Sequence, residues 1–472
     1  MKYNPVTEEI LAELKEIVGE KNVLTDREKI EAYSHDETPK EKYGSMPEVV
    51  VKPSSTGDVQ AVVKLANREL IPVTPRGAGS GLSGGAIPDH GGIVLSVENM
   101  DNVIEYDFDN MMMVLQGGVI NNNVQEDLAE EGLFFAGYPM SLESCFIGGN
   151  IAENAGGGKA VKYGVTGRYV MGMEVVLPTG EVMKLGGKRV KDVTGYDLKK
   201  LMIGSEGTLG IVTEATIKLL PKPTKEVALL VLFADAETAI AAVPKIMTET
   251  GIIPTGIEFM DQRSVRASCE YLNEHLPYQD CGAMLLIEVD GAEEEQVEND
   301  YFKIGEICEE NGAQEVYVAD NHTTRERVWD VRRNIAEAFM VVSPEQSLED
   351  IVVPVASIPD LIPELDRLSD KYDIQIPCYG HAGDGNLHAT LVKNPDHSMD
   401  KWYQIEEKCL KDLYDITYEL GGTISGEHGI GSKRKKYFPE AVSAVELELM
   451  KKIKKAFDPN NIMNPGKIFD LD

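Results

Sequence analysis

The stretch Pro75–Gly84, with the sequence PRGAGSGLSG, follows the predicted strand Ile71–Thr74 and decides much of the fold. Its last six residues match the G-x-G-x-x-G pattern of dinucleotide-binding βαβ units. Such a unit needs a helix that begins within the glycines, whereas the proline and glycines of Ala86–Gly92 (AIPDHGG) cannot continue a helix. We therefore reject a nicotinamide cofactor and interpret Pro75–Gly81 as a loop whose backbone amides bind a diphosphate.

Two further runs share this composition, Ser144–Gly158 (SCFIGGNIAENAGGG) and Gly204–Val212 (GSEGTLGIV). The first of them is too rich in glycine to be ordinary packed core. Glycine permits a ligand to approach the backbone closely. Three such runs in one domain therefore predict a large ligand that is flat or phosphorylated.

The order of the predicted elements indicates an α+β fold. Short strand patterns alternate with glycine-rich turns up to Pro221–Pro223 (PKP), as in a loop-dominated α+β domain. Regular strands and long helices such as Arg325–Met340 follow, which predicts an antiparallel sheet with helices on one face, a ferredoxin-like cap. The last segment contains a helix near Val445–Phe457. The predicted domains are residues 1–220, 221–418 and 419–472.

The composition excludes several classes of partner. The 472 residues carry a formal net charge of −33 that is spread along the chain, so nucleic acid would be repelled. No uninterrupted apolar run approaches the ~18 residues that span a membrane. The N-terminal residues lack the apolar centre of a secretory signal. We therefore expect a cytoplasmic protein without a membrane span.

Three other features of the sequence are interpreted without special chemistry. The six cysteines lie far apart with no C-x-x-C pair, so we expect ordinary thiols and no iron–sulfur cluster. The run Met111–Met113 is expected in the core of a sheet. The basic run Lys433–Lys436 (KRKK) is expected to form a solvated face, with docking to an acidic partner or an anion as the alternative.

Three of the eight histidines lie in two short glycine-rich segments. In HAGDGNLH the Gly-Asp-Gly-Asn turn separates two predicted strands, so His381 and His388 would face each other across the mouth of a hairpin. Two imidazoles in this arrangement suit one metal ion. Glu427, from the segment Gly426–Gly431 (GEHGIG), would complete a ligand set suited to Zn²⁺, Mn²⁺ or Fe²⁺. Histidines that are merely hydrogen-bonded are the alternative.

Together, the glycine runs resemble the FAD-binding domain of the vanillyl-alcohol oxidase family, also called the p-cresol methylhydroxylase fold, from about residue 45 to the end of the chain. The resemblance is strongest to the branch of glycolate oxidase subunits and D-lactate dehydrogenases, which also includes D-2-hydroxyglutarate dehydrogenases. In that family the first loop wraps the FAD pyrophosphate, the second lines the isoalloxazine side and the third lies by the adenine half. The ending Asn464–Lys467 (NPGK) returns to the flavin domain. The implied FAD contacts are Pro75, Arg76, Gly77, Ala78, Gly79, Ser80, Gly81, Leu82, Pro139, Ser144, Cys145, Gly148, Gly149, Asn150, Asn154, Gly157, Glu206, Gly210, Ile211, Val212 and Asn464.

The resemblance also implies a metal site and a catalytic base. In relatives with this pattern, the residues that correspond to His381, His388 and Glu427 bind the metal. The adjacent His428 acts at the substrate hydroxyl, and an imidazole with a pKa near ~6.5 can accept that proton. Relatives with covalently attached FAD carry a histidine in the first loop, where this chain has Ser80. We therefore expect non-covalent FAD.

The substrate carboxylate needs a cation, and the segment Val328–Asn334 offers two arginines. Arg332 corresponds to the substrate-binding arginine of the relatives, and a guanidinium can bond both carboxylate oxygens. Arg333 faces another side of the helix, where a surface ion pair is expected. The section Phe339–Glu349 lacks a lysine for a second carboxylate, unlike the D-2-hydroxyglutarate relatives. This favours a short monocarboxylate such as lactate or glycolate.

The predicted function is the FAD- and metal-dependent oxidation of a small 2-hydroxy acid, D-lactate or glycolate, to the 2-oxo acid. The metal would stabilise the alkoxide, which then expels a hydride to flavin N5. Because the sequence has no cluster motif, electrons should pass to an external acceptor. The resemblance implies a protein acceptor such as electron-transferring flavoprotein, and direct use of oxygen is the alternative. A metal-dependent hydrolase and a non-catalytic flavin subunit of a larger complex are the alternatives.

Overall fold

A computed structural model describes residues 2–471, and the chain forms two compact units. The first comprises Met1–Gly156, Val165–Lys222 and Glu427–Asp472, and the second comprises Gly157–Gly164 and Pro223–Gly426. The predicted boundaries fell after residues 220 and 418, and the short segment 157–164 was expected in the first domain. Within the described part of the chain, no helix is sufficiently long and apolar to cross a membrane.

The first unit contains two main sheets and a short two-stranded ladder. Its strands are β1 Val23–Leu24, β2 Val49–Val51, β3 Val73–Arg76, β4 Ile93–Ser96, β5 Val103–Asp107, β6 Met112–Gln116, β7 Leu133–Phe134, β8 Val170–Val176, β9 Val182–Gly186, β10 Ile211–Lys218 and β11 Leu220–Pro221. In the sheet β1-β2-β4-β3 the last three strands are parallel, whereas the sheet β5-β6-β10-β8-β9 is antiparallel. The α-helices are Glu8–Val18, Arg27–Ile30, Lys40–Tyr43, Thr56–Glu69, Asn121–Leu128, Ile147–Glu153, Leu198–Met202, Phe438–Ala441 and Ala444–Phe457.

The helix Thr56–Glu69 illustrates how local sequence builds this unit. The side chain of Ser55 accepts a hydrogen bond from the amide of Asp58 and caps the helix start. Apolar residues then recur at helical spacing and are buried in the core cluster that includes the strands of the first sheet. The buried residues of this helix are Val59, Val62, Val63, Leu65 and Ala66.

The glycine runs differ in local structure. The residues between Arg76 and Ile93, all of them described, form no helix, which agrees with rejecting a dinucleotide-binding βαβ unit. The second run contains the short helix Ile147–Glu153, in which Ile147 and Ile151 are buried. The expectation that this run is too rich in glycine for packed core is therefore wrong for the apolar side of this helix.

Two interpretations of minor features need correction. Met112 and Met113 are buried in β6 as expected, but Met111 is 38% exposed in a left-handed turn with φ 49°. Within the basic run, Arg434 is fully buried and donates a hydrogen bond to the carbonyl of Gly429 (3.1 Å). The expectation of a solvated face is therefore wrong for Arg434, whereas Lys433 and Lys435 are half-buried and Lys436 is exposed. All six cysteines are buried free thiols.

The second unit contains one seven-stranded antiparallel sheet with the order β15-β12-β14-β13-β17-β18-β16. Its strands are β12 Lys225–Phe233, β13 Gly256–Asp261, β14 Ala283–Gly291, β15 Ala313–Ala319, β16 Gln346–Val352, β17 Cys378–His381 and β18 Asn386–Val392. The α-helices are Ala160–Tyr163, Ala236–Thr250, Gln262–Leu272, Glu294–Glu310, His322–Arg333, Ile335–Val342, Ile358–Tyr372 and Met399–Glu419. This arrangement confirms the α+β class.

The predicted helix Arg325–Met340 is two helices that meet at Asn334. The side chain of Asn334 donates to the carbonyl of Asp330 (2.8 Å), and its backbone (φ −93°, ψ 9°) leaves the helical region. Asparagine competes with helical hydrogen bonds in this way. The first helix ends with Arg332 and Arg333 in its last turn.

The two faces of the seven-stranded sheet differ in polarity because side chains alternate along each strand. Val231 and Val316 share the face that lies by the helix Glu294–Glu310. The opposite face carries buried carboxylates, among them Glu258 and Glu288. The helix His322–Arg333 lies by this polar face, contrary to the expectation that all helices lie on one face.

Candidate active site

The chain end and two of the glycine runs converge near β3 in the first unit. The side-chain amide of Asn464 donates to the carbonyls of Gly85 (2.9 Å) and Glu206 (2.8 Å), and its backbone amide donates to the carbonyl of Val73 (2.7 Å). Asn464 has φ 43°, a left-handed conformation that asparagine adopts more readily than most residues. The ending thereby connects the first and third runs.

The first and second runs approach each other through glycine backbone. A Cβ atom built at Gly77 would lie 3.5 Å from the Cα atom of Gly149. Apart from its chain neighbours and the backbone of its own helix, no described heavy atom lies within 4 Å of the Cβ position of Gly149, so the space in front of it is open. Gly79 has φ 81°, which favours glycine. The runs thus present backbone to a cradle that a side chain would fill, which fits a diphosphate and a flat ring.

The remaining expected FAD contacts lie in the first unit, except Gly157, which belongs to the second. Arg76 is buried and donates to the carbonyls of His35 (2.7 Å) and Ala32 (3.2 Å), so it braces the first loop. The side-chain amide of Asn150 lies 3.3 Å from the Cys145 sulfur. Burial raises the pKa of Cys145, which therefore remains a thiol.

Glu153, a buried carboxyl group within the second run, was not predicted as a site residue from the sequence. The Glu153 side chain is buried, and burial together with nearby carboxylates raises its pKa well above the usual value. A Cβ atom at Gly429 would lie 2.2 Å from Glu153 Oε2, so glycine leaves room for this group. Glu206 accepts hydrogen bonds from the amides of Ile430 (2.7 Å) and Gly431 (2.6 Å). The third run therefore holds the segment that follows His428.

Glu427 and His428 begin this segment of the first unit. Both side chains are half-buried, and His428 Nε2 lies 3.9 Å from Glu427 Oε1. A Cβ atom at Gly156 would lie 2.9 Å from Glu427 Oε2, so this carboxylate faces the end of the second run. A carboxylate and an imidazole thus lie together where a glycine run ends.

In the second unit, His381 and His388 lie on the same sheet face but are not directly opposite each other. His388 pairs with Tyr379 and Asp350 on its two neighbouring strands, while His381 pairs with Glu258. The two imidazole rings are still neighbours, with centroids 5.4 Å apart and an edge-to-face angle of 84°. The hairpin register therefore sets the histidines diagonally, within reach of each other.

Asp350, which sequence analysis did not identify, lies beside His388. The carboxylate of Asp350 and a ring nitrogen of His388 offer ligand atoms within 4.8 Å of one another. Asp350 also accepts hydrogen bonds from the Ser425 hydroxyl (2.8 Å) and the Gly426 amide (2.9 Å). Asp350 thereby fixes Gly426, the residue immediately before Glu427.

Arg332 is buried near the same histidines. Its guanidinium lies 5.2 Å from the ring centroid of Tyr379, and its Nε donates to Glu258 Oε2 (2.6 Å). Its Nη2 has no hydrogen-bond partner among the described residues. The other oxygen of Glu258 binds Nδ1 of His381 (2.6 Å). Burial would raise the pKa of Glu258, but the positive charge of Arg332 and the hydrogen bonds from His381 and Arg332 lower it to about 2.

Two family models and the relatives over almost the whole chain identify the protein as a flavoprotein oxidoreductase. Residues 47–186 match the family described as FAD binding domain. Residues 222–468 match the family described as FAD linked oxidases, C-terminal domain. The chain belongs to the FAD-linked oxidases, in the branch of glycolate oxidase subunits and D-lactate dehydrogenases.

Similar proteins extend over almost the whole chain. The chain is 38% identical to glycolate oxidase subunit GlcD of Bacillus subtilis, covering 99% of this chain and 98% of the relative. It is 40% identical to D-lactate dehydrogenase of Anaerostipes hadrus, again covering 99% and 98%. A crystal structure of p-cresol methylhydroxylase with substrate bound shares the fold, with a TM-score of 0.79, 19% identity and coverage of 98% and 96%.

Proposed function

We propose that the protein oxidises a small 2-hydroxy acid, with D-lactate and glycolate as the first candidates, to the 2-oxo acid. Arg332 carries the proposal because it is a buried guanidinium whose Nη2 has no partner among the described residues. A buried donor without an acceptor is unfavourable, and a substrate carboxylate would supply two charged acceptors. FAD, when bound, supplies the hydride acceptor. The names of the two relatives support this substrate class.

We further propose a divalent metal site. The proposed ligands are His381, His388 and Glu427. Imidazole nitrogen and carboxylate oxygen suit Zn²⁺, Mn²⁺ or Fe²⁺. Support comes from the neighbouring rings of the two histidines and from Asp350, which binds the amide that precedes Glu427. A cation held there would lower the pKa of the substrate hydroxyl.

His428 is the proposed base. It follows Glu427 directly in the chain, and the functional atoms of the two residues are 3.9 Å apart. The proposed ligand and the proposed base can therefore serve a single substrate hydroxyl. Neutral imidazole accepts that proton at a ring nitrogen as the hydride leaves the α-carbon.

The substrate proposal favours one carboxylate rather than two. The section Phe339–Glu349 contains no lysine. On the adjacent helix, Arg325 is already paired with Glu226 (3.0 Å), so it is not the second anchor. We therefore propose a short monocarboxylate.

The electron acceptor is proposed to be another protein, such as electron-transferring flavoprotein. Support comes from the sequence, which has no cluster-binding cysteine motif. A plain hydrolase does not suit an FAD-linked oxidase. A non-catalytic flavin subunit does not suit a chain that has His381, His388 and Glu427, because flavin subunits of that kind lack these motifs.

Anaerobic flavin bleaching tests the proposal. The purified protein is mixed with D- and L-lactate, glycolate and 2-hydroxyglutarate while absorbance near 450 nm is followed, before and after chelation. We expect bleaching by a monocarboxylate that chelation suppresses and that Zn²⁺, Mn²⁺ or Fe²⁺ restores. No bleaching by any of these acids would reject the substrate class, and bleaching that survives chelation would reject the metal.

A further inference from the structure

Glu258 connects two groups to which the proposed function assigns different tasks. It lies on β13, fully buried, and each of its two oxygens accepts one hydrogen bond. Oε1 binds Nδ1 of His381 and Oε2 binds Nε of Arg332, both at 2.6 Å. We propose that Glu258 is a positioning residue that orients the metal ligand and the substrate anchor together; this inference rests on the proposed function.

The first effect concerns which nitrogen of His381 carries its proton. A carboxylate 2.6 Å from Nδ1 accepts a hydrogen bond from the Nδ1–H group, so the lone pair of the neutral ring lies on Nε2. A partner of this kind also fixes the plane of the imidazole and raises its basicity. Glu258 and His381 are register partners on neighbouring strands, so the sheet itself sets this contact.

The second effect concerns the guanidinium of Arg332. Glu258 engages Nε, at one edge of the group, and the Tyr379 ring lies 5.2 Å from its centre. These two contacts fix the position of the guanidinium while leaving Nη2 without a described partner. An arginine held in this way is already ordered, so it loses little further side-chain entropy when it binds a carboxylate.

The Glu258 carboxylate lies close to the backbone of Gly158. A Cβ atom at Gly158 would lie 3.0 Å from Glu258 Oε1 and 3.3 Å from the Trp329 ring. The last glycine of the second run therefore leaves the space that the carboxylate occupies. Because Glu258 is fully buried, water does not replace either of its two contacts.

The chemistry requires a carboxylate rather than an amide. His381 and Arg332 both donate hydrogen bonds to Glu258. A glutamine at this position offers only one oxygen acceptor, and its NH₂ group is a donor. Glu258→Gln must therefore lose the bond to Arg332 or make His381 move its proton to Nε2. The second change would remove the lone pair that a metal needs.

The test compares three variants of the flavin-loaded protein. Glu258→Gln removes one acceptor, and Glu258→Asp keeps both oxygens on a shorter side chain. Glu288→Gln is the matched control, because Glu288 is also buried on this face but binds Trp329 Nε1 (2.8 Å) and Lys159 (2.9 Å) instead. Mn²⁺ affinity is measured from the electron paramagnetic resonance signal of the free ion, and KM and kcat are measured with the best hydroxy acid.

We expect Glu258→Gln to weaken Mn²⁺ binding by about 10–100-fold, as loss of a ligand's supporting hydrogen bond does elsewhere. Its KM should rise as well. Glu258→Asp should recover part of both effects, and Glu288→Gln should leave Mn²⁺ affinity within about twofold of the wild type. If Glu258→Gln does not retain flavin, Glu258→Asp decides: a partial loss of Mn²⁺ affinity supports the inference, and no loss overturns it.

Two results would overturn the inference in distinguishable ways. Unchanged Mn²⁺ affinity and KM in flavin-loaded Glu258→Gln would reject the positioning role and leave the proposed function intact. Equal Mn²⁺ binding by the wild type and His388→Ala would instead reject the metal site, and with it the role assigned to His381. A loss of equal size in Glu288→Gln would mean that any disturbance of this face has the same effect, and it too rejects the specific role.

Discussion

Arg332→Lys is the most direct test of how the substrate is held. Arg332 uses Nε for Glu258 and keeps Nη2 without a partner among the described residues, so the native guanidinium can serve two anions at once. A lysine ammonium is a single point charge and lacks the planar fork that does this. The lysine side chain of the variant should therefore pair with Glu258 or with the substrate carboxylate, but it should not bind both strongly at the same time.

The magnitude follows from one lost hydrogen bond between charged groups at a buried position. Such a bond contributes about 1.5–3 kcal/mol, which corresponds to a weakening of about 10–150-fold in affinity. The loss should appear in the substrate concentration that half-saturates the rate of anaerobic flavin bleaching. The bleaching rate at saturation should change less, because the reacting groups are elsewhere.

Arg333→Lys is the matched control on the same helix turn. Arg333 is 40% exposed and pairs with Glu326 (3.0 Å) and Asp330 (3.1 Å), contacts that contribute little at a surface. Its half-saturation value should stay within about twofold of the wild type. The reasoning fails if Arg332→Lys keeps its flavin and also keeps the wild-type half-saturation value, since the carboxylate would then have another anchor.

The other site residues give separate expectations. His388→Ala should abolish turnover and Mn²⁺ binding while FAD stays bound, and activity retained in metal-free buffer would contradict the metal role. His428→Asn should slow flavin reduction by about 10²–10⁴-fold, whereas a change of only a few-fold would reject it as the base. Gly149→Val should lower FAD content with unchanged far-ultraviolet circular dichroism, because the valine side chain enters the open space next to the helix. An unchanged FAD content would show that the flavin does not occupy this space.

Features that depend on neighbouring residues could be predicted from the sequence. The helix predicted at Thr56–Arg68 is observed at Thr56–Glu69, because its cap and its apolar spacing are both local signals. The absence of a helix after Pro75–Gly84 likewise followed from the proline and glycines next to it. The α+β class is confirmed for the same reason, since strand and helix periods are visible within short windows.

The partners of the site residues could not be predicted, because strand register brings them together from distant parts of the chain. Glu258 meets His381 across 123 positions, and Asp350 lies opposite His388 on β18. Neither carboxylate stands near a motif in the sequence. The diagonal placement of the two histidines has the same origin, since a turn sequence alone does not fix which residues pair.

The interpretation of the basic run as a solvated face was wrong for Arg434, because it considered the charge of the run without the residues that pack around it. In an acidic chain, four cations in succession suggest a solvated face, yet Arg434 is fully buried in the unit that also buries Glu153 and Glu206. Burial raises the pKa of both carboxyls, and the positive charge of Arg434 opposes part of that rise. The burial of Arg434 could not be predicted, because the sequence does not show that Glu153 and Glu206 are buried too.

Stability alone does not account for the polar face of the second unit. Burying charged groups costs several kcal/mol per ion, and well-packed apolar residues are often as stable or more stable. For Glu258, the hydrogen bonds from His381 and Arg332 offset this cost. Nη2 of Arg332, by contrast, is a buried donor that has no acceptor among the described residues. A missing acceptor of this kind costs about 1–3 kcal/mol, which a bound carboxylate would recover. This unmatched donor is the reason for proposing that Arg332 belongs to a preorganised anion site.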